Sequence, residues 1–211
     1  MTAQLYCFGE SGNAYKAALT LTLCGIDWEP VYVDFFNGAA RTPDYLAMNV
    51  MGEVPYFIDG DVKLSQSGVI QQYAVEQSGK LGGKTPEDAR EVLRWLLWDN
   101  QKMSGTAGGL RFLTNFLPPE KRSPDVIAFM TGRVMAAFKV LDKALEGRDW
   151  LVGDDVTIAD IACCGYLFYP EPFGFVRADW ANIDRWLGNI ERLSDWKHPY
   201  DMMPGSPADR A

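Results

Sequence analysis

The feature that most limits how this chain can fold is a change of hydrophobic periodicity near residue 80. Before that point, short apolar runs alternate with segments of helical spacing; after it, the apolar residues recur only at helical spacing. Residues 79–84 (GKLGGK) separate the two regions and are rich in glycine, which is typical of a linker. The sequence therefore predicts two domains of different class, at residues 1–79 and 86–211, joined by a linker at 80–85.

The first predicted domain has the order β-α-β-α-β-β-α. Its strands are expected at residues 4–8, 28–33, 54–58 and 62–64. Asp59-Gly60-Asp61 is a hairpin signal between the last two strands. Helical spacing follows the first strand, begins again at Pro43, and opens a third time at residue 65 or 66.

The second predicted domain is entirely helical. Pro86 and Pro124 are placed to begin helices, and a fourth helix contains Ile183. The segment 156–161 (VTIADI) predicts a capping box and a hydrophobic staple at the start of the third helix, a signal for folding rather than catalysis. Three glycines at 105, 108 and 109 either end the first long helix or open space beside it.

Net charge argues against a nucleic-acid partner, and the length of the apolar runs argues against a membrane span. The chain has 28 acidic and 20 basic side chains among 211 residues, a formal net charge of -8, and no Lys/Arg run. The longest apolar run, residues 161–169, is much shorter than the roughly 20 residues that cross a bilayer. Residues 1–12 lack the basic and apolar segments of a signal peptide, so we expect no secretion.

Cysteine and histidine usage narrows the chemistry further. The four cysteines are scattered and form no C-x-x-C spacing, which indicates neither a disulfide framework nor a metal site and favours a reducing, cytoplasmic location. The single histidine, His198, would have to carry any Ser-His-Asp triad or zinc site alone. We therefore expect no metal.

Three short segments, taken in order, resemble the glutathione transferase family. They are residues 11–16 (SGNAYK), 49–55 (NVMGEVP) and 66–70 (QSGVI), and they are similar to bacterial and fungal members with S/T-x-N after the first strand. The capping box at 157–160 matches the family's second domain. The resemblance covers nearly the whole chain and implies an α/β thioredoxin-like domain followed by an all-α helical-bundle domain. It also implies a homodimer that uses glutathione as co-substrate.

The resemblance implies that Ser11 and Asn13 are the catalytic residues. Both stand where the first helix begins, so a hydroxyl and an amide can direct donors at one sulfur. A free thiol has a pKa near 8.5, and a helix N-terminus with hydrogen-bond donors lowers it. A decrease of two units corresponds to about 2.7 kcal/mol, within reach of one helix dipole and two or three hydrogen bonds. The alternative for Ser11 is that it only caps the helix.

By the same resemblance, glutathione is expected to contact Arg41, Val54, Pro55, Gln66 and Ser67. Val54–Pro55 resembles the family's cis-proline, which lets the backbone of Val54 pair with the cysteinyl part of glutathione. Gln66 and Ser67 open a helix, which suits the γ-glutamyl carboxylate.

Two positions depart from the family's pattern. Many relatives have Glu at the position of Gln66, facing the ligand's ammonium, so we expect weaker affinity here. Relatives often carry Lys or Arg where this chain has Glu53. Arg41 or Lys16 is the expected substitute for a contact with the glycyl carboxylate.

The second substrate is expected in a pocket lined by the helical domain, and core packing is the alternative for each candidate residue. The candidates are Met103, Phe112, Phe116, Tyr166 and Tyr169. The implied function is attack of the glutathione thiolate on a small apolar electrophile, as in detoxification. The alternatives are a glutathione-dependent disulfide reductase or peroxidase, and a non-catalytic binding module. Cys7 lies four positions before Ser11, inside the first strand, so we expect a buried, inert thiol there.

Overall fold

The computed structural model describes residues 2–205 and divides into two compact units. The first comprises Met1–Lys80 and a C-terminal segment that begins at Asp195, and the second comprises Leu81–Ser194. Residues 79–85, all of which the structure describes, form no helix or strand. The predicted domain ranges also include Met1 and residues 206–211, which lie outside the described residues.

The first unit is built on a four-stranded sheet. Its strands are β1 (Ala3–Cys7), β2 (Trp28–Tyr32), β3 (Tyr56–Asp59) and β4 (Val62–Ser65). The order across the sheet is β2-β1-β3-β4, with β1 parallel to β2 and antiparallel to β3, and β3 and β4 forming an antiparallel hairpin. The unit's helices are α1 (Gly12–Cys24), α2 (Pro43–Met48), α3 (Ser67–Ser78) and the short α9 (Pro199–Met202). The predicted thioredoxin-like order is confirmed.

Helix α1 is the best-buried element of the first unit. Ser11 caps its N-terminus, and Gly25 ends it in a left-handed conformation with φ 76°, which glycine adopts without a steric penalty. α1 packs against α3, and Gln71 on α3 donates from Nε2 to Thr20 Oγ1 at 3.0 Å across that interface. Both side chains are fully buried, so this hydrogen bond fixes how the two helices meet.

The second unit is helical, as predicted. Its helices are α4 (Pro86–Trp98), α5 (Gly105–Arg111), α6 (Pro124–Ala144), α7 (Ile158–Cys164) and α8 (Ala181–Glu191). The predicted helix starts at Pro86 and Pro124 are confirmed, and Ile183 lies in α8. Two π-helical segments, Asp99–Ser104 and Phe112–Phe116, continue the helical backbone before and after α5.

The three glycines in this stretch do not end the helix, and two of them lie against side chains of other segments. A Cβ atom at Gly108 would lie 2.8 Å from the hydroxyl oxygen of Tyr166, and one at Gly109 would lie 2.7 Å from Met130 Cε. At Gly108 three atoms of the buried Tyr166 side chain lie within 3.2 Å of that Cβ position, so its ring occupies space that glycine leaves open, whereas at Gly109 the flexible Met130 methyl could shift.

Asp160 holds the start of α7 in the core of the second unit. Its Oδ2 accepts from the backbone N–H of Thr157 at 2.9 Å and from the Thr157 hydroxyl at 3.1 Å, which completes the predicted capping box. Its Oδ1 accepts from the N–H of Leu151 and from Trp186 Nε1, both at 2.9 Å. Burial raises the pKa of Asp160, and these four hydrogen bonds oppose that shift. One carboxylate therefore joins three separate segments.

The C-terminal segment differs from the sequence-based prediction, which placed every residue after 86 in the helical domain. Residues 195–205 belong to the first unit instead. Tyr15 donates its hydroxyl to the carbonyl of Lys197 at 2.9 Å, and the N–H of Gly9 donates to the carbonyl of Pro204 at 2.6 Å. Because Tyr15 is fully buried, its hydroxyl requires such a partner, and the segment supplies it.

Among residues 2–205, no helix combines the length and the apolar composition needed to cross a bilayer.

We expect Asp160→Asn to lower the free energy of unfolding by about 3 kcal/mol, because the new NH₂ group would face buried donors that then lack an acceptor. Asp88→Asn is the matched control. Asp88 closes a second capping box, with Thr85, at a solvent-accessible site. Urea unfolding followed by circular dichroism measures both variants. Equal losses would contradict the structural importance of Asp160.

Candidate functional site

The register of the sheet brings four segments of the first unit to one edge, three of which contain predicted site residues. Tyr6 near the end of β1 is paired with Tyr56 at the start of β3, and Tyr56 is paired with Ser65 at the end of β4. Tyr6, Tyr56 and Ser65 thus form one row across the sheet. The turn after β1, the residues before β3 and the start of α3 all lie next to this row. Parallel pairing places the end of β2 there as well, since Cys7 is opposite Tyr32.

Ser11 stands in the turn after β1 and caps α1. Its Oγ accepts from the N–H of Ala14 at 3.2 Å, and only 7% of the residue is exposed. A hydroxyl that accepts one hydrogen bond keeps its own proton to donate. Among the described residues, the Ser11 hydroxyl donates to none. Capping the helix and donating to a ligand are therefore compatible roles for this side chain.

Asn13 lies in the first turn of α1, and its amide is unused. The Oδ1 atom is buried and has no hydrogen-bond partner in the described part of the chain. Rotation of the amide by 180° exchanges the oxygen with the NH₂ group, so the same place can be occupied by a donor. The backbone N–H groups of Gly12 and Asn13 also find no acceptor among residues 2–205. Four groups able to donate thus lie at the positive end of a 13-residue helix.

The peptide bond between Val54 and Pro55 is cis. Two side chains hold the carbonyl of the preceding residue, Glu53: the Tyr45 hydroxyl donates to it at 2.9 Å and Asn49 Nδ2 donates at 2.8 Å. No backbone hydrogen bond within the described range satisfies Val54 itself. Sequence reasoning did not identify Tyr45 and Asn49 as supports of this segment, although Asn49 opens the motif that contains Val54–Pro55.

Gln66 and Ser67 stand at the N-terminus of α3. Gln66 has φ 69° and ψ 120°, a conformation that L side chains rarely adopt and that persists where the surrounding structure imposes it. Its carbonyl accepts from the N–H groups of Val69 and Ile70 at 3.0 and 3.1 Å. The Ser67 hydroxyl has no partner among the described residues, so the first turn of α3 can receive an anion.

Glu53 and Gln66 contact each other at this edge. Gln66 Nε2 lies 3.3 Å from Glu53 Oε2 and 3.0 Å from the sulfur of Met51. All three side chains are exposed to solvent. The amide of Gln66 thus orients toward the carboxylate of Glu53 at the beginning of α3.

Arg41 is the stronger of the two basic candidates. It is exposed, and its guanidinium packs over Gly52, where a Cβ atom would lie 2.9 Å from Arg41 Nη1. It forms no ion pair with any residue in the described range. Lys16, by contrast, is only 1% exposed, which removes it from the surface where a glycyl carboxylate would bind.

The candidate second-substrate residues of the helical unit fall into different environments. Tyr169 and Phe116 flank the guanidinium of Arg111, which lies 3.9 and 5.0 Å from the centres of their rings. Tyr166 lies beside Tyr169, with ring centres 6.2 Å apart. Separately, Met103 is fully buried in the core, whereas Phe112 is 40% exposed.

Sequence reasoning missed Arg111 itself. Its guanidinium is 2% exposed and is paired with Glu171, with Arg111 Nη2 2.5 Å from Glu171 Oε2. A buried guanidinium between two aromatic rings and a carboxylate fixes the positions of all three. The only sequence signal was a charged residue inside the apolar run 110–113 (LRFL), with no indication of its partner 60 residues later.

The prediction for Cys7 is confirmed. Its thiol is fully buried in β1, and burial raises its pKa to about 12. None of the four cysteines forms a disulfide, and all four are buried. A protonated, inaccessible thiol does not act as a nucleophile at neutral pH. Across the described residues, no group of three His, Cys, Asp or Glu side chains could hold a metal ion.

Two family models match the chain, and together they cover well over half of it. The model described as "Glutathione S-transferase, N-terminal domain" matches residues 1–76, and "Glutathione S-transferase, C-terminal domain" matches residues 112–193. Glutathione S-transferase F10 of Arabidopsis thaliana is 29% identical over 194 residues, which are 88% of this chain and 90% of the plant protein. Glutathione S-transferase GstB of Escherichia coli strain K12 is 29% identical over 184 residues, with 85% and 88% coverage.

Solved structures agree with these matches. A glutathione S-transferase from Xanthobacter autotrophicus Py2 has a TM-score of 0.87 and 28% identity, covering 94% of this chain and 97% of that one. A glutathione S-transferase from Pseudomonas fluorescens Pf-5 also has a TM-score of 0.87, with 27% identity and coverage of 95% and 100%. The chain therefore belongs to the glutathione S-transferase family.

Proposed function

We propose that this glutathione transferase binds glutathione at the sheet edge of its first unit, stabilises the thiolate through Ser11 and Asn13, and directs it at a small apolar electrophile. The observation that carries the proposal is the set of unused donors at the start of α1. The Ser11 hydroxyl, the Asn13 amide and two backbone N–H groups have no acceptor among the described residues. A thiolate is an acceptor of the required charge.

The remaining contacts follow from the chemistry of glutathione. Val54, with an unpaired backbone before cis-Pro55, suits the extended cysteinyl residue. Ser67 at the N-terminus of α3 suits the γ-glutamyl carboxylate, and exposed Arg41 suits the glycyl carboxylate. The protein then supplies position and electrostatic stabilisation, whereas the sulfur nucleophile belongs to glutathione.

Conjugation fits the site better than disulfide exchange through a protein thiol. Exchange of that kind needs an accessible cysteine with an appreciable thiolate fraction. Cys7, the cysteine nearest to Ser11 in the sequence, is buried with a pKa of about 12, and the other three are buried as well. The serine at position 11 offers a hydrogen bond instead of a covalent link.

For the second substrate we propose an apolar electrophile that contacts aromatic side chains of the helical unit. Phe112 is 40% exposed, and Phe116, Tyr166 and Tyr169 form an ordered group with Arg111. Met103 is fully buried and belongs to the core, so we assign it a packing role only. Removal of apolar electrophiles in the cytoplasm, as in detoxification, is the proposed setting, supported by four scattered cysteines that form no disulfide.

We also propose a homodimer. Helices α4 and α6 of the second unit expose large apolar side chains, at Leu93 and Leu97 on α4 and at Val126, Phe129 and Val140 on α6. Several exposed large apolar side chains on two helices are typical of an interface between subunits.

One prediction of this proposal concerns the bound thiol. We expect its pKa in the wild-type complex to lie about two units below that of free glutathione, and to rise by about one unit in Ser11→Ala and in Asn13→Ala. A lowered pKa means that the thiolate persists to lower pH. As the pH falls, each variant should therefore lose thiolate absorbance at a pH about one unit higher than the wild type does. Ultraviolet titration of the complexes measures this.

Ser11→Thr is the matched control, because threonine keeps both the hydroxyl and the ability to cap α1. Its bound pKa should match that of the wild type, whereas Ser11→Ala loses donor and cap together. If glutathione bound to the wild type titrates like free glutathione, the proposed mechanism is wrong.

Another prediction concerns assembly. Phe129→Arg should shift a dimer toward monomer by placing a charge in an apolar interface, which we expect to weaken association at least about tenfold. Val176→Arg, also on an exposed apolar residue of the second unit, is the control and should leave the dimer intact. Size-exclusion chromatography with light scattering distinguishes the two. A monomeric wild type would refute the homodimer.

A further inference from the structure

Glu53 carries a negative charge near the start of α3, and this charge has no role in the contacts proposed above for glutathione. Its carboxylate is exposed, and its one hydrogen bond within the described range comes from Gln66 Nε2, at 3.3 Å from Oε2. The backbone of the same residue is held firmly, because Tyr45 and Asn49 both donate to its carbonyl. The main chain that carries this side chain is therefore held in place, and no cation among the described residues neutralises the carboxylate.

The γ-glutamyl end of glutathione is a zwitterion, with a carboxylate and an ammonium on the same carbon. The N-terminus of α3 and the Ser67 hydroxyl complement only the carboxylate. A carboxylate bound there brings the ammonium with it, and an ammonium that loses water needs an anion or several acceptors. Gln66 adjoins this helix end, but its amide is neutral and its NH₂ group is directed at Glu53 and Met51.

We propose that Glu53 is the residue that binds the α-ammonium of the γ-glutamyl group, and that it makes the site selective for a free amino group at that end of the ligand. This inference rests on the proposed glutathione function. Because Gln66 bonds to Glu53, the Glu53 carboxylate lies within side-chain reach of the helix end that receives the ligand's carboxylate. Gln66 orients the carboxylate and leaves its own Oε1 as a second acceptor.

The same arrangement accommodates the other end of glutathione. Glu53 would repel a glycyl carboxylate, but the guanidinium of Arg41 packs over the neighbouring Gly52 and forms no ion pair with Glu53. Two opposite charges thus stand beside one loop without neutralising each other. A ligand with an ammonium at one end and a carboxylate at the other matches both, so the pattern of charges sets the direction in which the peptide binds.

The experiment is calorimetric titration of the full-length protein with two ligands: glutathione, and glutaryl-cysteinylglycine, in which hydrogen replaces the amino group. For Glu53→Gln we expect the Kd for glutathione to rise about tenfold, the usual effect of losing a charge-assisted hydrogen bond. The Kd for glutaryl-cysteinylglycine should not change. Glutamine keeps the hydrogen bond with Gln66, so the loop should stay in place.

Two further variants separate the local charge from general effects. Glu53→Gln combined with Gln66→Glu restores one carboxylate next to the helix and should bring the glutathione Kd back to within about threefold of the wild type. Asp61→Asn removes an equal charge from the turn at the opposite end of the β3–β4 hairpin and should leave both Kd values unchanged.

The inference is overturned if Glu53→Gln binds glutathione as tightly as the wild type, or more tightly, or if it weakens both ligands equally. In those cases the wild type still binds glutathione, so the proposed function stands. A wild-type protein that binds neither ligand would refute the proposed function together with the inference.

Discussion

The site depends on the opposite directions in which β1 pairs with its two neighbours. β1 runs parallel to β2 and antiparallel to β3, so the C-terminal end of β1 meets the N-terminal end of β3. That geometry places the turn containing Ser11 at the same sheet edge as cis-Pro55, and the β3–β4 hairpin adds the start of α3. A register shift of one residue would turn the side chains of β1 to the other face, so packing of the sheet and assembly of the site are fixed together.

The second unit is stabilised by a different kind of constraint. Asp160 satisfies donors from Thr157, Leu151 and Trp186, residues separated by up to 35 positions, in a fully buried location. The Arg111–Glu171 pair links helix and loop in a similar way. Breaking a buried network exposes unpaired polar groups to an apolar core, which costs far more than the loss of a surface contact.

Local signals predicted much of this structure. The prolines at 86 and 124 and the Thr157–Asp160 box marked helix starts correctly, because caps and first turns depend on neighbouring residues. The motifs also predicted the cis bond between Val54 and Pro55 correctly, whereas the role of Ser11 in binding stays a prediction. What the sequence could not reveal were contacts between distant residues: the pairing of Tyr15 with Lys197, which moves the C-terminal segment to the first unit, and the Gln66–Glu53 contact. Periodicity carries no information about such partners.

The unsatisfied polar groups at the start of α1 provide a second argument for the same site, because leaving such groups unpaired costs stability. Buried polar groups in folded proteins nearly always find partners, so an exception has a cost that something else must offset. Gln71 is a partial exception, since Oε1 is unpaired but Nε2 donates to Thr20. At the start of α1, by contrast, Asn13 has no hydrogen bond from either end of its amide, and the Ser11 proton has no acceptor, in each case within residues 2–205.

A bound thiolate would satisfy these donors together. Two pKa units of thiolate stabilisation amount to about 2.7 kcal/mol, comparable to the penalty for leaving one or two such groups unpaired. Binding of the thiolate would remove the penalty of the unpaired groups, and that gain would stabilise glutathione in its reactive, ionised form.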